Sequence, residues 1–225
     1  MARHRVRLHF DFISPYSYLA LTQAESFGER HDIEWEVRPV LYAAILEATG
    51  LVGPAEQPVK RQYTARDIIR AADLIGVPMT GPPAHPFNPL MALRTMCLYE
   101  DDPSGLRLAV ELANRCWGEG RALTEYGVIE EVLESLGLET ADLATRVNAS
   151  TTKAQLKSNT TEALAAGVFG VPTFLWRGEV FWGHDRMDHL SDRLAARLDS
   201  PEVRARAWAA KPRDAERPSS PWPKS

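Results

Sequence analysis

The sequence predicts an α/β fold. A β-α-β unit opens the chain, a β-β-α unit follows near its end, and a long all-helical insertion separates them. Three observations carry this reading. Apolar and polar residues alternate in two short runs within the first forty residues. The stretch from about 43 to 165 shows helical spacing with no convincing strand. A hairpin signal after residue 170 then leads into one more helical pattern.

The elements follow in order. Val6, Leu8, Phe10 and Phe12 alternate with Arg7, His9 and Asp11, which predicts a half-buried strand over 6–12. Tyr16, Leu19, Ala20, Ala24 and Phe27 keep helical spacing. Ile33, Trp35 and Val37 alternate with Glu34, Glu36 and Arg38, a second strand, which such a crossover normally makes parallel to the first. The stretches "ARDIIRAADLIG", "PLMALRTMCLYE", "LRLAVELANRCWGEG" and "EYGVIEEVLESLG" read as amphipathic helices. Between the first two lies "GVPMTGPPAHPFNP", with five of the chain's 16 prolines; Asn88 before Pro89 is a plausible cap and first helical position. "VPTFLWRGEVFWG" reads as two short strands joined at Arg177-Gly178-Glu179. "DRMDHLSDRLAARL" reads as a helix with Asp185 as a candidate cap and Met187, Leu190, Leu194 and Leu198 on one face. The polar, proline-rich segment 211–225 is expected to be disordered.

Composition narrows the function. A chain of 225 residues can bury one core, or one core plus an insertion. A formal charge of −4 gives no general reason to seek nucleic acid or an anionic membrane. No apolar run approaches bilayer length, and the basic start lacks the apolar segment of a secretory signal, so the cytoplasm is the default compartment. Cys97 and Cys116 form no CxxC pair. Each falls in step with apolar helix residues, the position of a small buried hydrophobe. His184 and His189 flank "DRMD", but five positions is poor helical spacing for shared ligation, so no metal is expected.

Two motifs carry chemistry. Ser14-Pro15-Tyr16-Ser17 stands at the strand-to-helix junction where disulfide oxidoreductases place Cys-Pro-X-Cys. Unpaired amides at a helix N-terminus stabilise an anion there. A serine cannot perform redox chemistry, but it can donate a hydrogen bond to another molecule's thiolate; equally, Ser14 is a favoured N-cap. Val171-Pro172, in "GVFGVPTF", immediately precedes a strand. It is either an ordinary trans proline at the strand's first residues or a cis bond that turns the Val171 backbone toward an extended peptide ligand. Asp185 and Arg186 read on their own as a cap and a solvated first-turn residue. His85 could face a substrate or simply lie on a surface loop.

Taken together, "FDFISPYSYLA", "KRQYTARD", "GVPMTGPPAHPFNPLMALR", "GVFGVPTF" and "FWGHDRMDHL", in this order over residues 6–198, resemble the 2-hydroxychromene-2-carboxylate isomerase family, relatives of the kappa-class glutathione transferases. The resemblance implies a DsbA-like, thioredoxin-like domain over 1–42 and 158–210, with the helical insertion at 43–157. It implies glutathione as cofactor, an aromatic second substrate and a homodimer. Ser14 matches the catalytic serine that holds the glutathione sulfur as thiolate. Val171, before a cis Pro172, matches the residue whose backbone pairs with the cysteinyl part. Asp185 and Arg186 match the pair that holds the γ-glutamyl ammonium and carboxylate. Lys60, with Arg61 as a neighbouring candidate, matches a lysine near the glycyl carboxylate. "LYAAILEATGLVGPAEQ" matches only loosely, and it should help wall the second substrate's pocket. The expected activity is glutathione-dependent isomerisation. Its alternatives are a kappa-like glutathione transferase, a disulfide oxidoreductase and a glutathione-binding module without turnover.

Overall fold

The computed structural model describes residues 3–212. Strand β1 (His4–Phe10) leads into helix α1 (Pro15–Arg30) and strand β2 (Ile33–Pro39). After the insertion come β3 (Thr173–Trp176) and β4 (Glu179–Trp182). The sheet order is β2-β1-β3-β4, with β2 parallel to β1 and the other neighbours antiparallel. The hairpin turns at Arg177-Gly178, both at positive φ (51° and 81°), the backbone of a two-residue primed turn. This matches the expected β-α-β and β-β-α units. The first strand ends two residues early, because the chain leaves the ladder after Phe10 to begin the loop that ends at Ser14.

The alternation in β1 sorts its two faces. Val6, Leu8 and Phe10 are fully buried beneath α1, while Arg5 and Arg7 face outward. The parallel register sets Arg7 beside Glu36, and both Arg5 (2.5 Å) and Arg7 (2.6 Å) pair with that carboxylate. Helix α1 buries more than the single stripe its spacing suggested. Tyr18 and Leu21 are buried as well as Leu19 and Ala20, because the helix lies between the sheet and the insertion. Gly28 permits close approach to β2: a Cβ there would stand 2.5 Å from the Trp35 indole nitrogen, which donates to the Ala24 carbonyl at 2.8 Å.

The insertion contains helices α2 (Tyr42–Thr49), α3 (Pro58–Ile75), α4 (Leu90–Leu98), α5 (Gly105–Ala113), α6 (Tyr126–Ser135), α7 (Leu143–Asn148) and α8 (Ser150–Ala165). The expected start of α4 is corrected by one residue: Pro89 stands at the cap position and Leu90 is the first helical residue, while the Asn88 side-chain oxygen accepts the Leu90 amide at 3.0 Å from just before the helix. Helix α8 runs unbroken across the expected boundary at 157/158. Both cysteines are free thiols packed among apolar residues, and burial pushes each up to about 12.

Helix α9 spans Met187–Leu194. Here the expected cap is corrected: the Asp185 carboxylate accepts no amide of the helix start. It turns to the Arg186 guanidinium, within a short 3₁₀ turn at His184–Arg186. Leu198 lies beyond the helix and is exposed. A further helix, α10 (Glu202–Ala209), was not anticipated. The disorder expected for 211–225 falls, from residue 213 onward, outside the described residues. Among the described residues, no helix is long and apolar enough to cross a membrane.

Candidate active site

The topology explains why two motifs 157 residues apart in sequence meet. β3 runs antiparallel to β1, with His9 opposite Thr173, so the end of β1 lies beside the start of β3. Ser14 is therefore brought against Val171. Its Oγ donates to the Val171 carbonyl at 3.3 Å and accepts the Ser17 amide at 3.3 Å as the N-cap of α1. Ser14 is the N-cap of α1, as one of its two readings expected, and its hydroxyl also reaches the second motif. The Val171–Pro172 bond is cis. Among the described residues no acceptor pairs with the Val171 amide.

The loop between β1 and Ser14 is fixed from several sides. Asp11 Oδ1 accepts the Ile13 amide at 3.0 Å, and Oδ2 accepts the Tyr42 amide at the first residue of α2 at 2.9 Å. The Ser14 amide donates to the Asp11 carbonyl at 3.1 Å. Trp117 Nε1 donates to the Phe12 carbonyl at 2.8 Å, and His85 Nε2 lies 2.9 Å from the Ile13 carbonyl. A carbonyl only accepts, so His85 carries its proton on Nε2. Burial lowers the His85 pKa, which favours this neutral form. His85 thus braces the serine loop and packs edge-on against Trp117. Neither residue's part in the site was legible in sequence. Trp117 depends on the π-turn at Asn114–Gly118 that ends α5, and such turns carry no sequence signal of their own.

On the other side of Ser14, Tyr16 stacks on His184, with ring centroids 5.4 Å apart and planes within 8°. Its hydroxyl donates to Asp67 Oδ2 at 2.7 Å, which ties α3 to the start of α1. Burial raises the Tyr16 pKa, with Asp67 adding to the effect, so the hydroxyl keeps its proton. Asp67 and Tyr16 are further residues that sequence reasoning missed; the only available signal was their place in "SPYS" and "ARD".

The remaining expected residues are placed unequally. Asp185 and Arg186 directly follow His184, the stacking partner of Tyr16, and their side chains pair with each other at 2.6 Å on an exposed turn. Lys60 is exposed in the first turn of α3, two turns before Asp67. No hydrogen bond or ion pair among the described residues joins it to the serine loop. Its neighbour Arg61 donates to the His85 carbonyl at 3.3 Å.

Comparison with known proteins gives the chain's relatives and its family. The chain is 28% identical to the 2-hydroxychromene-2-carboxylate isomerase of Sphingobium xenophagum over 191 residues, covering 84% of this chain and 97% of the relative. It is 27% identical to glutathione S-transferase kappa 1 of Rattus norvegicus over 212 residues, covering 87% and 93%. A solved 2-hydroxychromene-2-carboxylate isomerase superposes with a TM-score of 0.78 at 25% identity, covering 92% of this chain and all of that one. The DSBA-like thioredoxin domain matches residues 5–195, which span both sheet units, the insertion and the Ser14–Val171 junction: the chain belongs to the DSBA-like thioredoxin domain family.

Proposed function

We propose that this protein is a glutathione-dependent isomerase acting on 2-hydroxychromene-2-carboxylate or a related intermediate of aromatic breakdown. The observation that carries the proposal is Ser14. A serine, in place of a reactive cysteine, caps α1 within hydrogen-bond reach of the Val171 backbone. The chain therefore provides a cradle for a sulfur that it does not itself own.

The residues present fit glutathione. The unpaired Val171 amide and its carbonyl, beside Pro172, suit an extended cysteinyl backbone. Asp185 and Arg186 offer one carboxylate and one guanidinium to a zwitterionic γ-glutamyl end, and the guanidinium fork suits a bidentate grip on the carboxylate. Lys60 supplies an exposed cation for the glycyl carboxylate. When bound, glutathione supplies a thiolate nucleophile that adds reversibly to the substrate and is eliminated after rotation about the freed carbon–carbon bond.

The chain's own contribution is positional. Ser14 turns its one hydroxyl proton from the Val171 carbonyl to the sulfur, and the N-terminus of α1 adds its partial positive charge. The Asp11, Trp117 and His85 contacts hold that hydroxyl in place before anything binds. The stacked rings of Tyr16 and His184, beside Ser14 and Asp185 in the chain, offer an aromatic surface to a flat substrate. No step asks for a redox-active cysteine, in keeping with two thiols held protonated by burial.

A kappa-like glutathione transferase is the second reading, favoured by the match to the rat enzyme over 87% of this chain. Product mass separates the two. With 2-hydroxychromene-2-carboxylate and reduced glutathione, isomerisation gives a product of unchanged formula and leaves glutathione undiminished. A product heavier by glutathione would assign a transferase. No turnover of this substrate or of a panel of electrophiles would leave only a binding module.

A further inference from the structure

A cavity lies away from the serine loop, where α2, the start of α4 and α8 converge. It has a volume of about 300 Å³, at the lower end of the range for small-ligand sites. Its apolar wall includes Leu90, Leu156 and Leu164, and Arg94, Lys153 and Lys157 surround it. Among the described residues, no carboxylate lines it. No residue of the Ser14 loop, the Val171–Pro172 segment or the His184–Arg186 turn lines it either.

The charges are the informative part. Many arginines of this molecule stand within 4 Å of a carboxylate, including Arg7, Arg38, Arg115 and Arg193. Among the described residues, the three cations around this cavity have no such partner. Lys153 and Lys157 stand four apart on α8, where like charges weaken a helix slightly. Among the described residues Arg94 bonds only to the Asn148 side chain, and its buried Nε has no acceptor. An apolar hollow rimmed by three uncompensated cations, one with an orphaned buried donor, matches an anion on an apolar body.

We propose that this cavity binds a small organic carboxylate, with its apolar part against the leucines and its carboxylate among Arg94, Lys153 and Lys157. The site is distinct from the glutathione cradle and does not depend on that reading. It is nevertheless linked to the cradle through the backbone. Thr160, which lines the cavity, accepts the Leu41 amide at 3.0 Å, and the next amide, Tyr42, is the one held by Asp11.

The test is calorimetric titration of the full chain with 4-phenylbutyrate and with octanoate, each paired with its alcohol, 4-phenylbutan-1-ol or octan-1-ol. At least one carboxylate binds, about tenfold or more tightly than its alcohol, a difference of about 1.4 kcal/mol. Preference for one arm tells an aromatic from a fatty-acid source. The exposed double substitution Lys153→Glu/Lys157→Glu weakens carboxylate binding by about tenfold or more, while Ser14→Ala leaves it unchanged. The proposal is overturned if neither carboxylate binds at millimolar concentration, if acid and alcohol bind equally, or if the lysine substitutions have no effect. Loss of binding in Ser14→Ala would place the carboxylate in the glutathione cradle instead and overturn it equally.

Discussion

Asp11 and His9 stand two residues apart at the end of β1, both almost fully buried, and they titrate in opposite directions. Burial pushes the Asp11 carboxyl up to about 7, against the two amides that it accepts. Burial also lowers the His9 imidazole to about 4, with the charges of Arg7 and Arg38 adding to the effect. The folded protein therefore holds the Asp11 proton more tightly than the unfolded chain does. That stabilisation is complete below about pH 4 and is lost as pH rises through about 7. For His9 the unfolded chain holds the proton more tightly, so stability falls as pH drops from about 6.5 towards about 4. At about 1.4 kcal/mol per pH unit, the Asp11 span corresponds to about 4 kcal/mol and the His9 span to about 3 kcal/mol. Over most of the shared window the two nearly cancel. Asp11→Asn breaks that balance. It replaces one acceptor oxygen by a donor, leaving either the Ile13 or the Tyr42 amide unpaired at a cost of about 1–3 kcal/mol, and it removes one titration. Urea unfolding followed by tryptophan fluorescence, at several pH values between about 4 and 7.5, measures the difference between variant and wild type, from which His9 and every shared carboxylate drop out. That difference shifts in the variant's favour by about 4 kcal/mol across the range. A difference that stays constant with pH would refute the assignment of a raised pKa to Asp11.

Two further outcomes concern the end of β1 and the loop that follows it. His9→Phe removes the lowered imidazole and its unpaired Nδ1 together, so the variant resists acid unfolding and gains up to about 3 kcal/mol relative to wild type near pH 4; the same urea series measures it. Trp117→Phe keeps an aromatic ring, smaller than the buried indole, and deletes the donor to the Phe12 carbonyl. It costs about 1–3 kcal/mol in stability and weakens glutathione binding by calorimetry, because the loop that aims Ser14 loses one of its braces.

What the sequence disclosed and what it withheld divide along the range of the interactions involved. Local signals were sufficient for the sheet. Alternation in 6–12 and 33–38, and the turn at Arg177-Gly178, depend only on which face is buried and which residues tolerate positive φ. Ser14 was legible because capping and anion binding share one position at the head of a helix. Asp185 was misread as a cap because an aspartate before a helix satisfies the local rule, and only the fold shows Arg186 drawing it away. Trp117, His85 and Asp11 were opaque for another reason. Trp117 and His85 each act on the serine loop through a long-range contact to a backbone carbonyl and Asp11 through the amides it accepts, and each had an adequate bland role as a core aromatic, a loop histidine or an outward strand position. The tie between Tyr16 and Asp67 likewise joins residues 51 apart in sequence, so no spacing could announce it.

The central claim is that Ser14 holds a borrowed thiolate, and ultraviolet thiolate absorbance during titration with reduced glutathione tests it most directly, in wild type and in Ser14→Ala near neutral pH. The account predicts a saturable thiolate signal in wild type. In a folded Ser14→Ala variant that signal is lost or greatly reduced, and turnover falls by about a hundredfold. An equal signal in both proteins, or no glutathione binding by the wild type, would contradict it.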